Sequence, residues 1–148
     1  MSSAKAMRTV LVIDDNPTIV ELIKYAVHLY RNYHTIVAYD AMHGLEAVYT
    51  NHPDCIIIDV KMPHMDGYQL VRHLRSEPRT AHIPLILLSA MARKEDQMTG
   101  LLSGADEYLT KPFKPIELNA AMERVLRLTP ADRQCRTDYL LEAQARAG

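Results

Sequence analysis

Features that mark specialised classes of protein are scarce in these 148 residues. There are only two cysteines, Cys55 inside a predicted core strand and Cys135 near the end, and they do not make a disulfide framework. The longest early apolar run, residues 10–13, is far too short for the core of a signal peptide or for a membrane span. We therefore expect a cytoplasmic protein with no membrane partner.

An excess of charge of one sign is also missing. The chain carries 17 lysine and arginine residues against 18 aspartate and glutamate residues, a formal net charge of −1 at pH 7. This balance gives no reason to expect direct binding to nucleic acid or to a membrane surface. The seven histidines are scattered without the spacing of metal ligands, so we expect no metal site among them.

What the sequence does contain is a regular alternation of strand and helix patterns. A length of 148 residues, with 48% hydrophobic and 24% charged residues, suits one globular domain with a proper core. Predicted strands cover residues 9–13, 34–38, 55–59, 85–88 and 107–109, and predicted helices cover residues 17–30, 41–51, 68–75, 93–103 and 115–128. This order predicts an α/β fold, a parallel sheet with helices on both faces.

Polar side chains stand where the predicted strands end. Asp14 and Asp15 close the first strand, Asp59 the third and Ser89 the fourth, and Lys111 follows the fifth. Parallel strands end at one edge of a sheet, where open α/β folds hold their ligands. Crowded carboxylates repel each other unless a cation such as Mg²⁺ is present. Carboxylate, metal, ammonium and hydroxyl together suit phosphoryl transfer onto a carboxylate.

Each of these residues also has a purely structural explanation. Asp59 can cap the loop that follows it, and Asp14 and Asp15 can be acids favoured at the start of a helix. Such explanations are as good as the functional one for the acids taken singly, and better for Ser89 or Lys111 alone. They account poorly for the placement of all five residues at strand ends, and this joint placement indicates a site.

Four segments in fixed order carry a family resemblance: VLVIDD (10–15), DVKMPHMDG (59–67), SA (89–90) and GADEYLTKPF (104–113). Together they resemble the receiver domain of two-component response regulators, over about residues 8–128. Since the order and spacing hold throughout, the match is far more specific than a single short motif. It implies a flavodoxin-like sheet of five strands in the order 2-1-3-4-5 with five helices.

The resemblance also implies a role for each residue of the metal site. Asp59 resembles the phosphoacceptor. Asp15 and Asp59 look like direct Mg²⁺ ligands, Asp14 a ligand acting mainly through water, and the Lys61 backbone carbonyl a further ligand. The Lys61 side chain is expected to reach solvent.

Three further positions match the phosphate-binding and switch residues of the family. Lys111 is similar to the phosphate-binding lysine, and the Lys111–Pro112 peptide is expected to be cis by the same resemblance. Ser89 is similar to the switch hydroxyl and Tyr108 to the rotating aromatic residue.

The function implied is that of a stand-alone response regulator of the single-domain chemotaxis type. It would accept a phosphoryl group on Asp59 from a histidine kinase or phosphotransfer protein, and signal to a downstream protein through the face of helix four, strand five and helix five. It would catalyse only its own phosphorylation and dephosphorylation. One alternative is an aspartyl-phosphate phosphatase of the haloacid dehalogenase type, which needs a second acid where this chain has Lys61. Another is a phosphorylation-independent interaction module.

Residues 129–148 form a tail beyond the domain of residues 1–128. Thr129, Pro130 and Asp132 match the N-cap, N1 and N3 positions of a new helix, so we expect a short one. Its residues Cys135, Tyr139, Leu140 and Ala143 would lie along one side. The tail would pack on the domain, pair with a second copy in a homodimer, or serve as a linker.

Overall fold

The computed structural model describes residues 7–147. Five parallel strands form one sheet in the order β2-β1-β3-β4-β5. The strands are β1 (Thr9–Ile13), β2 (His34–Ala38), β3 (Cys55–Asp59), β4 (Leu85–Ser89) and β5 (Glu107–Thr110). The helices are α1 (Pro17–Arg31), α2 (Ala41–Asn51), α3 (Gly67–Ser76), α4 (Lys94–Ser103), α5 (Pro115–Leu126) and α6 (Pro130–Ala147). The predicted flavodoxin-like fold and strand order are confirmed.

Helices cover both faces of the sheet. Successive side chains of a strand point to opposite faces, so each strand contributes to two cores. In β3, Ile56 and Ile58 face the core lined by α2 and α3, whereas Cys55 and Ile57 face the core lined by α1 and α5. Every residue of β3 and of β4 is buried, which explains their uninterrupted apolar runs. No helix within residues 7–147 is long and apolar enough to cross a membrane.

The last turn of α1 differs from the sequence prediction. The apolar spacing of the first helix predicts that Tyr30 lies on its buried face. In the structure Tyr30 is 43% exposed. Arg31 makes the contact with the neighbouring helix in this turn, because its guanidinium lies 3.4 Å from a carboxylate oxygen of Glu123 on α5 and stacks over the ring of Tyr33.

The C-terminal helix α6 begins where the capping pattern predicts, but the expectation of a short helix is wrong, because it runs for 18 residues. The Thr129 hydroxyl accepts a hydrogen bond from the Asp132 amide, and the Asp132 carboxylate accepts one from the Thr129 amide. Its predicted side is half wrong: Leu140 and Ala143 are partly buried, but Cys135 and Tyr139 are exposed. The helix is turned instead so that two arginines face the acidic start of β5.

Candidate functional site

Three carboxylates meet at the edge of the sheet where β1 and β3 end. Asp14 and Asp15 follow β1 directly, and Asp59 is the last residue of β3. Because these strands pair in parallel, with Ile13 beside Ile58, their ends bring the acids together. One oxygen from each of the three carboxylates lies within 4.8 Å of the others. Asp14 and Asp59 are buried, whereas Asp15 is exposed.

The ammonium group of Lys111 bridges the two buried acids. Its Nζ lies 3.0 Å from Oδ1 of Asp59 and 3.2 Å from Oδ2 of Asp14. The Lys111–Pro112 peptide bond is cis, as predicted. The backbone holds Lys111 in place, since its amide donates to the carbonyl of Ser89 at 2.8 Å. The loop after β5 therefore delivers a fixed positive charge to the acids.

The two buried acids differ in their remaining freedom to bind a ligand. Both oxygens of Asp14 have partners, because Oδ1 accepts a hydrogen bond from the Asn16 amide at 2.9 Å and Oδ2 faces Lys111. Asp59 faces Lys111 through Oδ1. An open cleft of about 510 Å³, lined in part by Asp15 and Lys61, lies beside the acids.

Proton affinities reflect the crowding. Burial raises the pKa of Asp59 above its ordinary value, Asp14 and Asp15 add to the increase, and Lys111 opposes it. Burial alone would lower the pKa of Lys111, but the hydrogen bond with Asp59 and the charges of Asp59 and Asp14 outweigh it, so this pKa is raised. The three carboxylates thus carry more negative charge than the single ammonium group of Lys111 neutralises.

The donor set fits a hard divalent cation. Mg²⁺ binds oxygen ligands and is commonly held by one or two carboxylates together with water. Three carboxylate oxygens lie close together, one of the acids is exposed at the cleft, and their mutual repulsion would be relieved by a bound cation. The side chain of Lys61 is exposed, as expected.

Ser89 and Tyr108 meet at the backbone of Met91. The buried hydroxyl of Ser89 accepts a hydrogen bond from the Met91 amide at 3.0 Å, and the Tyr108 hydroxyl donates to the Met91 carbonyl at 2.8 Å. The tyrosine ring lies against α4, where a Cβ added to Gly100 would be 2.6 Å from ring atom Cδ2. One short loop thus connects the end of β4 to a residue on β5.

A model of the response regulator receiver domain matches residues 10–123 of this sequence. The chain belongs to that family. Receiver domains are signalling switches that bind Mg²⁺ at an acidic cluster, which in this chain corresponds to Asp14, Asp15 and Asp59.

This receiver is similar to proteins from several bacteria. It is 37% identical over 123 residues to the DNA-binding dual master transcriptional regulator RpaA of Synechocystis, covering 83% of this chain and 51% of RpaA. A putative response regulator of Chloroflexus aurantiacus matches its structure with a TM-score of 0.78 and 32% identity, covering 82% of this chain and 99% of that one. The receiver domain of the Pseudomonas aeruginosa histidine kinase PA1611, whose structure has magnesium in its active site cleft, has a TM-score of 0.74 and 28% identity, with coverages of 82% and 98%. The chain spans about half the length of the curated relatives that it matches.

The structure brings Asp14, Asp15, Asp59 and Lys111 into one group, and it places Ser89 and Tyr108 on the backbone of Met91, which sequence reasoning did not single out. Met91 acts through its backbone amide and carbonyl, so the identity of its side chain gives no sign of this role. A second addition is Asp106, which is 1% exposed and holds two arginines. Asp106 lies inside the family motif, but its pairing with Arg133 could be recognised only once the position of α6 was known.

Proposed function

We propose that this receiver accepts a phosphoryl group on Asp59 from a histidine kinase or phosphotransfer protein, in a Mg²⁺-dependent reaction. The observation that carries the proposal is the buried carboxylate of Asp59, bridged by Lys111 to Asp14 and grouped with Asp15 at the end of β3. Asp59 is the acid of this group that ends a fully buried strand. Its backbone is therefore held by the sheet, while its Oδ2 has no partner among the hydrogen bonds of the described residues.

In this mechanism an oxygen of Asp59 attacks the phosphorus atom of a phosphohistidine. The new O–P bond forms as the P–N bond breaks, and the departing imidazole nitrogen keeps the bonding electron pair. Lys111 lies 3.0 Å from Asp59 and would bind an oxygen of the arriving phosphoryl group. Bound Mg²⁺ would supply positive charge that offsets the charge of the transferring phosphoryl oxygens.

The residues proposed to hold Mg²⁺ differ in the hydrogen-bond partners that they have in the structure. Asp15 and Asp59 would be direct ligands together with the Lys61 backbone carbonyl. Asp14 would act mainly through water, which agrees with the partners that both of its oxygens already have. The exposed Lys61 side chain leaves no second acid at the position where a haloacid dehalogenase needs one, so a phosphatase is disfavoured.

Signalling would follow from the charge that phosphorylation adds, roughly −1.5 to −2 with three acceptor oxygens. Ser89 would leave the Met91 amide and donate its hydroxyl to a phosphoryl oxygen. The loop of residues 89–91 would move toward Asp59, and Tyr108, which already packs on the buried core and donates to the carbonyl of Met91, would move with it. The change is a population shift, and moving from 1:99 to 99:1 needs about 5.5 kcal/mol of differential binding.

We propose that the output is read by a protein that binds the face formed by α4, β5 and α5, and that the receiver acts alone. The balanced charge of 17 basic and 18 acidic residues supports a protein partner rather than nucleic acid. A partner isolated on the phosphorylated protein alone, with Tyr108→Ala removing the binding, would support this output. Sequence-specific DNA binding by the natural protein would contradict it.

The test of the phosphoacceptor is incubation with a small acyl phosphate and Mg²⁺, followed by intact-mass measurement. We expect the mass of one phosphoryl group to be added to the wild type and nothing to be added to Asp59→Ala. Asp138→Asn is the matched control, since Asp138 lies exposed on α6, and it should be labelled as the wild type is. Labelling of Asp59→Ala at the wild-type rate would disprove the assignment.

A further inference from the structure

The carboxylate of Asp106 at the start of β5 joins four parts of the fold. Its Oδ2 accepts hydrogen bonds from Arg75 on α3 at 2.8 Å and from the backbone amide of Leu85 on β4 at 2.9 Å. Its Oδ1 accepts one from Nε of Arg133 on α6 at 2.6 Å. Two guanidinium groups thus share one buried carboxylate, and one of them belongs to the helix that follows the matched receiver region.

Helix α6 is fastened to the receiver mainly by polar contacts. Arg136, one turn beyond Arg133, donates to the backbone carbonyl of Asp106 and lies 4.0 Å from the carboxylate of Glu107. No residue of α6 is buried, so little apolar surface holds the helix in place. The helix packs against α4. Helix α6 therefore covers the α4–β5 surface, which we define as α4 together with Asp106 and Glu107.

We propose that α6 is an intramolecular cover of the α4–β5 surface, docked in the unphosphorylated receiver and released when Asp59 is phosphorylated. The downstream protein would then bind the surface that α6 vacates. This inference rests on the proposed function for its trigger, and its occupant is a segment of the chain itself.

Release is physically accessible because it leaves no buried charge alone. Removing one partner of a buried ion pair is normally costly, since the remaining charge loses its compensation. When α6 leaves, Asp106 keeps both Arg75 and the Leu85 amide. The departing Arg133 and Arg136 pass into water, where guanidinium groups are well solvated. Asp106 thus has two arginine partners when α6 is docked and would still have one, Arg75, when α6 is released.

The phosphorylation site and α6 share α4 as a neighbour. Tyr108 on β5 packs against Gly100 of α4 and donates to the carbonyl of Met91, which also contacts Ser89 through its amide. Movement of Met91 and Tyr108 toward Asp59 would change the contact of the ring with Gly100 and let α4 shift. Helix α6 contacts α4 in this structure. Under the proposal it binds the unphosphorylated arrangement of α4 more tightly, and since coupling between two sites is reciprocal, phosphorylation would weaken the docking of α6 by the same factor.

Hydrogen exchange measured by mass spectrometry on the whole chain tests the proposal. Exchange in residues 130–147 is compared with and without acyl phosphate and Mg²⁺, and intact mass is measured on the same samples. We expect exchange in α6 to become about fivefold faster or more on phosphorylation, the lower end of typical allosteric coupling. Exchange in β3 should stay slow, as evidence that the fold persists.

A double variant tests the reciprocal effect. Arg133→Ala with Arg136→Ala should free α6 without phosphate and raise the affinity for beryllofluoride with Mg²⁺, a phosphoryl mimic, by a similar factor. Arg146→Ala is the control on the same helix, since Arg146 is exposed and lies 3.9 Å from Glu142. It should change neither quantity. Arg136→Ala alone is a milder variant, expected to give a smaller change of the same sign, if the double variant does not fold.

The outcomes separate the inference from the proposed function. Phosphoryl uptake with unchanged exchange in α6 would overturn the cover and leave the phosphoacceptor standing. Unchanged beryllofluoride affinity in a folded double variant, or in Arg136→Ala where the double variant is unfolded, would also overturn the coupling. Failure of the wild type to take up a phosphoryl group would overturn the proposed function and, with it, phosphorylation as the trigger.

Discussion

At the scale of single residues, the proposed phosphoacceptor is held where its charge is unfavourable. The pKa of Asp59 is raised above the ordinary value of 3.8 by burial and by two neighbouring acids, so the folded protein holds the proton more tightly than the unfolded chain does. The stability that follows is present below the ordinary pKa and is lost as the pH rises through the folded pKa. Asp59 thus costs the protein stability at neutral pH.

Substitution by a neutral residue of the same shape should recover this stability. We expect Asp59→Asn to increase the free energy of unfolding at pH 7 by about 1 kcal/mol. This is within the usual range for a single stabilising substitution. The gain should shrink at low pH, where Asp59 itself is protonated. Urea unfolding across this pH range measures it, with Asp138→Asn as an exposed control. Equal stability of Asp59→Asn and wild type at all pH values would show that Lys111 compensates the charge fully.

Lys111 and Asp15 should affect metal binding in opposite directions. Lys111 competes with a cation for the oxygens of Asp59 and Asp14, so Lys111→Met should strengthen Mg²⁺ binding by about 1 kcal/mol or more, the interaction of two unit charges 4 Å apart in water. Asp15→Ala removes a proposed ligand and should weaken it. Both variants should take up phosphoryl groups more slowly than the wild type.

Titration of Mg²⁺ followed by amide NMR separates the two effects. Lys24→Met is a suitable control, since Lys24 is exposed on α1 and pairs with Glu21. Weaker Mg²⁺ binding in Lys111→Met would contradict the idea that the ammonium group occupies part of the cation's place.

Individual residues also mark the limit of prediction from sequence. The five polar residues at strand ends were predictable, because strand periodicity and strand ends are local properties. The sequence alone presents Gly44 as no more than a modest weakness within the predicted second helix. In the structure a Cβ at Gly44 would lie 2.5 Å from Cδ1 of Ile13, so the glycine permits close packing of α2 on β1. Contact between segments so distant in sequence has no local signal.

At the scale of elements, α4 is the part of the receiver on which the switch depends. Gly100 lies in the middle of this helix, where alanine would ordinarily be favoured by about 1 kcal/mol. A Cβ there would lie 2.6 Å from the ring of Tyr108 and 3.2 Å from Leu87. The ring, rather than helix propensity, explains the glycine.

Gly100→Ala should therefore displace Tyr108. We expect the overpacking to lower the free energy of unfolding by about 1–3 kcal/mol and to change the NMR signals of the Tyr108 ring. Thr99→Ala, at the preceding exposed position of α4, is the control and should leave the ring signals unchanged. If Gly100→Ala stabilises the protein and the ring signals stay unchanged, α4 must move away from Tyr108 at a lower cost than the short distance implies.

Elements also differ in how well the sequence predicted them. The bounds of β1, β2 and β3 agree with the prediction to the residue, because each contains a short run of β-branched and other apolar residues, which is a local signal. The helix α6 was predicted from its cap, but its packing side was not. Apolar positions decide which side of most helices is buried. Arg133 and Arg136 decide it here, since the surface that they meet is acidic.

At the scale of the whole molecule, the two ends of β5 carry opposite balances of charge. At its C-terminal end Lys111 faces more carboxylate than it can neutralise. At its N-terminal end the single carboxylate of Asp106 meets Arg75 and Arg133. A strand of four residues spans roughly 13 Å. The first end is thus suited to binding a cation, and the second joins α3, β4 and α6 to the sheet.

The second end should be the more important one for stability. Burial lowers the pKa of Arg75 to about 10 although Asp106 opposes this, which means that its guanidinium depends on the carboxylate. Asp106→Ala would leave Arg75 buried without a counter-charge and the Leu85 amide without its partner. We expect the free energy of unfolding to fall by about 3–5 kcal/mol, the usual loss when a buried ion pair is broken. Glu107→Ala, which breaks more exposed pairs with Arg124, should cost about 1 kcal/mol or less. Urea unfolding of both variants decides the matter: similar losses would mean that the buried carboxylate contributes no more than a surface ion pair, and that Arg75 is held by the backbone carbonyls around it instead.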